Sequence, residues 1–408
     1  MDSMFSLWMR ICEDAKGGEV IWVIDALDEC NEIGNANGFF NAIVILLRNL
    51  NGISKNRLSF RVLFTSRPET WRQVSHSSNI DITAISRIVL EDEAAIEADI
   101  NAYIHEEVAK LHIQEIDKSN LESQLCAKAS RSFIWVKLTL KSIETDVDYR
   151  EGTWDAAVDA IPVKLEETYE KLLEQLSGPD HHTGTANPLP PRIKRLLQFV
   201  VGAHGFLTVR DLSIFFARED NVSTIEDAES KALSSSSFFE TIYGSFLRLV
   251  RGLDGIQQVR LIHETARKHL LLPESESKYA MQLHSCHLEL AKGCVTYLAL
   301  DNVADHVSAE SIQETDNHPL LKYAVLNWAS HVRESEELMD DELFGKVLDM
   351  YRTNSQRFQN WSEAYWMLSS KGQMKSNYST LHMCAYNGHM CVMKRLLEDK
   401  TSVFVLRV

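Results

Sequence analysis

The stretch that decides how this chain is read is Val20-Ile21-Trp22-Val23-Ile24-Asp25-Ala26-Leu27-Asp28-Glu29-Cys30. Five consecutive apolar residues, β-branched or aromatic, run into three carboxylates within five positions. An apolar run of this length predicts a strand buried on both faces of a parallel sheet. Open parallel sheets bind their ligands outside the carboxyl ends of the strands. There Asp25, Asp28 and Glu29 would form a cluster of hard oxygen ligands, suited to Mg²⁺ and to holding a water.

Working outward, Leu58 to Phe64 predicts a second buried strand, ending in Thr65-Ser66-Arg67-Pro68-Glu69. Helical spacing is expected at 3–16, with Phe5, Trp8, Met9 and Cys12 on one face, and again at 36–50. Ile82 to Val89 reads as a third strand. Helices between strands predict a parallel α/β sheet. Arg67 falls at a strand end as Asp25 does, where its planar, permanently charged fork suits a γ-phosphate.

The bulk numbers bound the class. The chain has 408 residues, 45% of them hydrophobic, enough for more than one packed domain. A net charge of −16 argues against nucleic acid or an anionic membrane as the main partner. Seven scattered cysteines form no even framework and predict reduced thiols in a cytoplasmic protein. The first residues lack the pattern of a signal peptide, and no window of about 18 apolar residues predicts a membrane span.

Downstream, amphipathic helices are expected over 92–112, 119–130 and 133–143, with Trp135 in the core. Pro162 is expected to open a helix filled by Leu165, Tyr169, Leu172, Leu173 and Leu176. Residues 177–191 read as a linker and 193–201 as a helix. Thr208-Val209-Arg210-Asp211 predicts a capping box, and Val259 to Ile262 a strand that ends at His263. His284, Cys286, His287 and Cys294 invite a zinc reading, but the leucines between them favour a core helix. Helices are also expected at 319–331, 340–350 and 357–368.

Several of these segments share one resemblance. The apolar run with Asp25-Ala26-Leu27-Asp28-Glu29 resembles the Walker B segment of NACHT-type ATPases. Thr65-Ser66-Arg67-Pro68 is similar to their sensor-arginine segment, and Leu261 to Leu271 resembles the histidine motif of their winged-helix domain. Ser379 to Glu398 resembles one ankyrin repeat. There Leu381, His382, Ala385, Gly388, His389, Leu396 and Leu397 fit, while Ser379 and Thr380 stand where the repeat carries Thr and Pro. A lone repeat of this kind must pack on the preceding helices or continue into an array.

The resemblance is to an N-terminally truncated NACHT protein of the STAND class with an ankyrin repeat, similar to fungal NLR-like proteins. It implies an α/β fold followed by a mainly α one. A partial P-loop NTPase-type sheet at 1–90 precedes a helical domain at 91–176, a linker at 177–191 and a winged-helix-like domain at 192–275. A helical region at 276–370 and a single ankyrin repeat at 376–401 complete it. By the same resemblance Asp25 holds Mg²⁺, and Asp28 and Glu29 are the vestigial catalytic carboxylates. Arg67 and His263 would touch ATP or ADP, and Leu381, His382, Gly388 and His389 would belong to an interaction module. In that class ATP opens a closed, ADP-bound monomer that then oligomerises and signals, as in innate immunity.

The loop Gly-x-x-x-x-Gly-Lys-Ser/Thr, whose backbone N–H groups and lysine cradle the phosphates, occurs nowhere in this sequence. The expectation is a regulatory fragment with an incomplete sheet. It would act through protein contacts, self-association among them, without competent ATP turnover. The alternative is an ATP/ADP-gated switch whose phosphate loop lies outside this chain. DNA binding by the winged helix is disfavoured, since 209–220 sets Arg210 and Arg218 against Asp211, Glu219 and Asp220.

Overall fold

A computed structural model describes residues 18–26, 58–66, 93–130, 132–145, 161–177, 188–217, 223–233, 246–252, 255–300, 303, 319–352, 355–369 and 379–398. The helices expected at 3–16 and 36–50 and the strand at 82–89 lie outside these residues, as do Asp28, Glu29 and Arg67. The chain divides into two units, 1–91 and 92–408. The described residues are mainly helical, with a small parallel and a small antiparallel sheet.

In the first unit, β1 (Gly18–Ile24) and β2 (Leu58–Phe64) pair in parallel, from Gly18 opposite Leu58 to Ile24 opposite Phe64. Side chains alternate between the faces of a strand. Trp22, Ile24, Val62 and Phe64 are half-buried, whereas Ile21, Val23 and Leu63 are 58%, 68% and 56% exposed. The expected burial on both faces is therefore corrected: the apolar run is covered on one face only.

The second unit opens with α1 (Glu93–Ala109), α2 (Glu115–Lys128) and α3 (Phe133–Thr145). Ile100, Ile104 and Val108 recur at i, i+4 and meet Leu121, Leu125 and Trp135 in one core. Leu138 on α3 belongs instead to the larger core that fills the rest of the unit. α2 begins at Glu115 rather than at 119; Glu115 and Asp117 favour the earlier start by complementing the helix dipole. It ends where Ser130 takes a left-handed φ of 46°.

Pro162 does not open the next helix, α4 (Leu165–Ser177), which starts three residues later. The Glu167 carboxylate accepts from the backbone N–H groups of Val163 (3.2 Å) and Lys164 (3.3 Å), so the start is set by an acid inside the helix rather than by proline. Proline does sit at the first turn of α5 (Pro191–Gly202), so the expected linker stops short of Pro191.

Next come β3 (Leu207–Thr208), α6 (Val209–Ala217), α7 (Ile225–Leu233), β4 (Leu247–Arg251) and β5 (Gln257–Leu261). The sheet is antiparallel in the order β3-β5-β4. The capping box forms as the sequence predicts: Asp211 N–H donates to Thr208 Oγ1 (3.0 Å) and Thr208 N–H donates to Asp211 Oδ2 (2.8 Å).

The remaining helices are α8 (Glu264–Leu270), α9 (Leu283–Leu298), α10 (Pro319–Ser335), α11 (Asp341–Met350), α12 (Gln356–Leu368), α13 (Thr380–Asn387) and α14 (Met390–Glu398). A short 3₁₀ turn, Glu336–Leu338, separates α10 from α11. α9 packs against α5, α10 and α11, and α10 packs against α6, α12 and α13. Ala291, Gly293 and Cys294 are small and buried, which lets neighbouring backbones approach α9. No described helix is long and apolar enough to cross a membrane.

α13 and α14 fold back on α10 and α11. Ser379 and His382 cap the start of α13 reciprocally, and Gly388 ends it with a left-handed φ of 75°. The fully buried His389 accepts from Tyr351 Oη at Nδ1 (2.8 Å) and donates from Nε2 to the Ala329 carbonyl (2.7 Å). Asn387 donates to the same phenol (2.7 Å). Trp328 packs beside this group, with ring centroids 5.5 Å from Tyr351, 5.0 Å from Trp361 and 5.8 Å from His389. The α13–α14 pair thus buries one face on preceding helices.

Two outcomes follow. A Cβ at Gly202 would sit 2.9 Å from Cys286 Cβ and 3.2 Å from its carbonyl carbon, closer than carbon atoms pack. Gly202→Leu should lower the unfolding temperature by about 3–8 °C, as read by circular dichroism. The second outcome is pH dependence. Burial holds His389 and His331 below the usual histidine range and His287 down at about 4. Unfolded histidines titrate near about 6.5, so below that pH the unfolded chain takes up protons that the folded chain refuses. Stability should be level above neutrality and fall from about pH 6.5 toward 4. In His389→Gln, a melting curve at each pH should show a lower starting point and a shallower fall.

Candidate functional site

The carboxyl ends of β1 and β2 build the first candidate site. In-register pairing carries Asp25 to a position beside Thr65, and the Thr65 N–H donates to the Ile24 carbonyl (3.0 Å). Thr65 Oγ1 accepts from the Ala26 N–H (2.8 Å) and donates to Asp25 Oδ1 (2.5 Å). The chain then leaves the strand through Ala26 at φ 53°, a left-handed conformation that costs a non-glycine residue about 1 kcal/mol. An exposed carboxylate with one oxygen oriented by a hydroxyl can anchor a hard cation. Sequence reasoning placed Asp25 at the strand end but gave Thr65 no role. Its signal was positional: it is the first residue after β2, as Asp25 is the first after β1.

His263, in the second unit, is the N-cap of α8, with extended backbone at φ −158° and ψ 156°. Its Nδ1 accepts from the Thr265 N–H (3.2 Å) and lies 2.8 Å from Thr265 Oγ1, which also meets Tyr169 Oη at 2.8 Å. Accepting at Nδ1 places the proton of the neutral ring on Nε2, a single donor. Nearby, His269 Nε2 and Ser277 Oγ both bond Glu170 Oε1, tying α8 and the segment after it to α4.

The residues that invited a zinc reading do not converge on one another. His284 Nδ1 faces the Glu334 carbonyl on the exposed side, while Cys286 and Cys294 are fully buried. Burial pushes the Cys286 thiol up to about 12, far from the thiolate that binds metal.

His382, Gly388 and His389 serve the α13–α14 pair as cap, turn and buried anchor, while Leu381 is half-buried in the first turn of α13. The large apolar side chains that this pair exposes are Tyr386, Met390 and Leu397, of which the sequence analysis named Leu397 alone.

A family model described as Nephrocystin 3, N-terminal, matches residues 2–67, the stretch that holds both β1 and β2. Among curated proteins, the azaphilone pigments biosynthesis cluster protein L of Monascus ruber is 22% identical over 250 residues. The matched part is 59% of this chain and 50% of that protein, so the chain spans about half the length of the curated relative it matches. No solved structure matches the chain.

Proposed function

We propose that this chain is a regulatory protein of the NACHT/STAND type that works through protein–protein contacts and does not itself turn over ATP. The observation that carries this reading is the Asp25–Thr65 pair at the carboxyl ends of two parallel strands. That is where open parallel sheets hold ligands, and where the sequence runs on into Asp28, Glu29 and Arg67. The family-model match ends at Arg67 and so spans all of these residues. What the 408 residues lack is the glycine-rich loop and lysine that would hold the phosphates. Asp25 would then have a metal to bind but little to fix a triphosphate beside it.

The second unit supplies contact surfaces. The run α5, β3, α6, α7, β4, β5 is winged-helix-like in order. The helix that would read DNA in such a domain, α7, carries Glu226, Asp227 and Glu229 against Lys231, a charge pattern that repels phosphate. The α13–α14 pair is ankyrin-like, with Tyr386, Met390 and Leu397 available to a protein partner. A second reading, a nucleotide-gated switch whose phosphate loop lies outside this chain, is favoured by one observation: His263 accepts at Nδ1 in the α8 cap, which fixes the tautomer protonated on Nε2, the one that can donate to a phosphate oxygen.

Titrating purified 1–408 with a fluorescent ATP or ADP analogue and Mg²⁺ separates the two. The first reading expects no saturable binding and an unchanged sedimentation coefficient on adding nucleotide. Saturable micromolar binding that Asp25→Ala and Thr65→Val each weaken about tenfold or more would overturn it in favour of the switch.

A further inference from the structure

Neither the strand ends nor His263 involves the histidine group formed by His204, His287 and His331. His204 follows α5, His287 lies on α9 and His331 on α10, and each offers a ring nitrogen within 4.8 Å of the others. No short sequence spacing announces the set, because its members come from three separate elements.

The local geometry resembles a ligand shell. His287 Nδ1 lies 3.0 Å from His331 Nδ1. Two imidazole nitrogens bound tetrahedrally to one metal at about 2.0–2.1 Å sit about 3.3 Å apart, so the pair needs to open by only a few tenths of an ångström. The His204 ring stacks on that of His331, with centroids 4.6 Å apart and planes within 6°, so the exposed His204 must turn out of the stack to aim a lone pair at an ion held by the other two. The outer nitrogens are held as the outer nitrogens of metal-bound histidines usually are. His331 Nε2 meets Tyr323 Oη (2.8 Å) and His204 Nε2 meets Ser330 Oγ (3.1 Å). The Tyr323 phenol also accepts from the His204 backbone N–H (3.3 Å), so one oxygen ties the His331 ring to the His204 backbone.

Burial and exposure divide in a useful way. His287 and His331 are buried, whereas His204 is exposed, so the group opens to solvent on one side. That opening gives an ion a way in and leaves room for water as a further ligand. Burial also keeps His287 and His331 neutral at physiological pH, the form that binds metal. A donor set of imidazoles without a carboxylate suits Zn²⁺, Cu²⁺ or Ni²⁺ rather than Mg²⁺ or Ca²⁺.

We propose that His204, His287 and His331 bind one divalent first-row transition cation, zinc foremost, which ties the end of α5 to α9 and α10. Without the cation, one proton shared between the Nδ1 atoms of His287 and His331 closes the same pair.

The test is calorimetric titration of chelator-treated 1–408 with zinc chloride near neutral pH, paired with Co²⁺ absorption. The expected result is one saturating equivalent, a raised unfolding temperature and the visible bands of tetrahedral Co²⁺. His204→Ala, at an exposed position, should keep the fold and weaken zinc at least about tenfold. His287→Gln should abolish the equivalent, with circular dichroism as the check on folding. Ser330→Ala removes no ligand and should weaken binding about tenfold through the orientation of His204 alone. No saturable zinc binding by the unaltered chain would overturn the proposal. So would zinc binding that His204→Ala and His287→Gln leave unchanged, because the metal would then sit on other groups.

Discussion

The packing of α9 against its neighbours is the constraint on which the second unit depends. α9 meets α5, α10 and α11, and α10 carries α6, α12 and α13 in turn. Close approach is possible because α9 presents Ala291, Gly293 and Cys294 among larger side chains, and because α5 ends in Gly202 directly against Cys286. A packed interior transmits any enlargement at such a crossing, since there is no slack volume to absorb it. The helices after α9 then follow by burying their apolar stripes on a platform that already exists.

That platform contains polar groups as well as apolar ones. His331, His389, Tyr323 and Tyr351 are all buried, and each is bonded to another member of the set or to a backbone carbonyl. A buried polar group left without a partner costs roughly 1–3 kcal/mol, so these bonds specify one arrangement of the helices rather than merely tolerating it. His389 shows the effect most clearly. Its two nitrogens reach Tyr351 and Ala329, and α14 starts directly after it. A helix pair too short to bury its own face is thereby held to α10 and α11.

In the first unit the ordering principle is different. Parallel strands in register bring residues of equal rank to the same edge, so Asp25 and Thr65 meet without either being unusual in its own segment. The left-handed Ala26 turns the chain out of the strand directly after the carboxylate. An acid fixed at such an edge lies where open parallel sheets hold their ligands.

The sequence alone determined the elements whose signals are local. β1, β2, the capping box at Thr208 and Asp211 and most helices were legible, because alternation, 3.6-residue spacing and side-chain caps act within a few residues. Asp25 was legible because a strand end is a local event. Pro162 misled because proline also suits the turn before a helix, and the acid that sets the start of α4 lies inside it. One-sided burial of β1 was not legible, since an apolar run does not say what covers each face. Only the tertiary structure decided that Thr65 holds Asp25 and that His204, His287 and His331 come together. Those contacts join residues far apart in the chain, and no local pattern encodes which distant side chains the packing of helices will bring face to face.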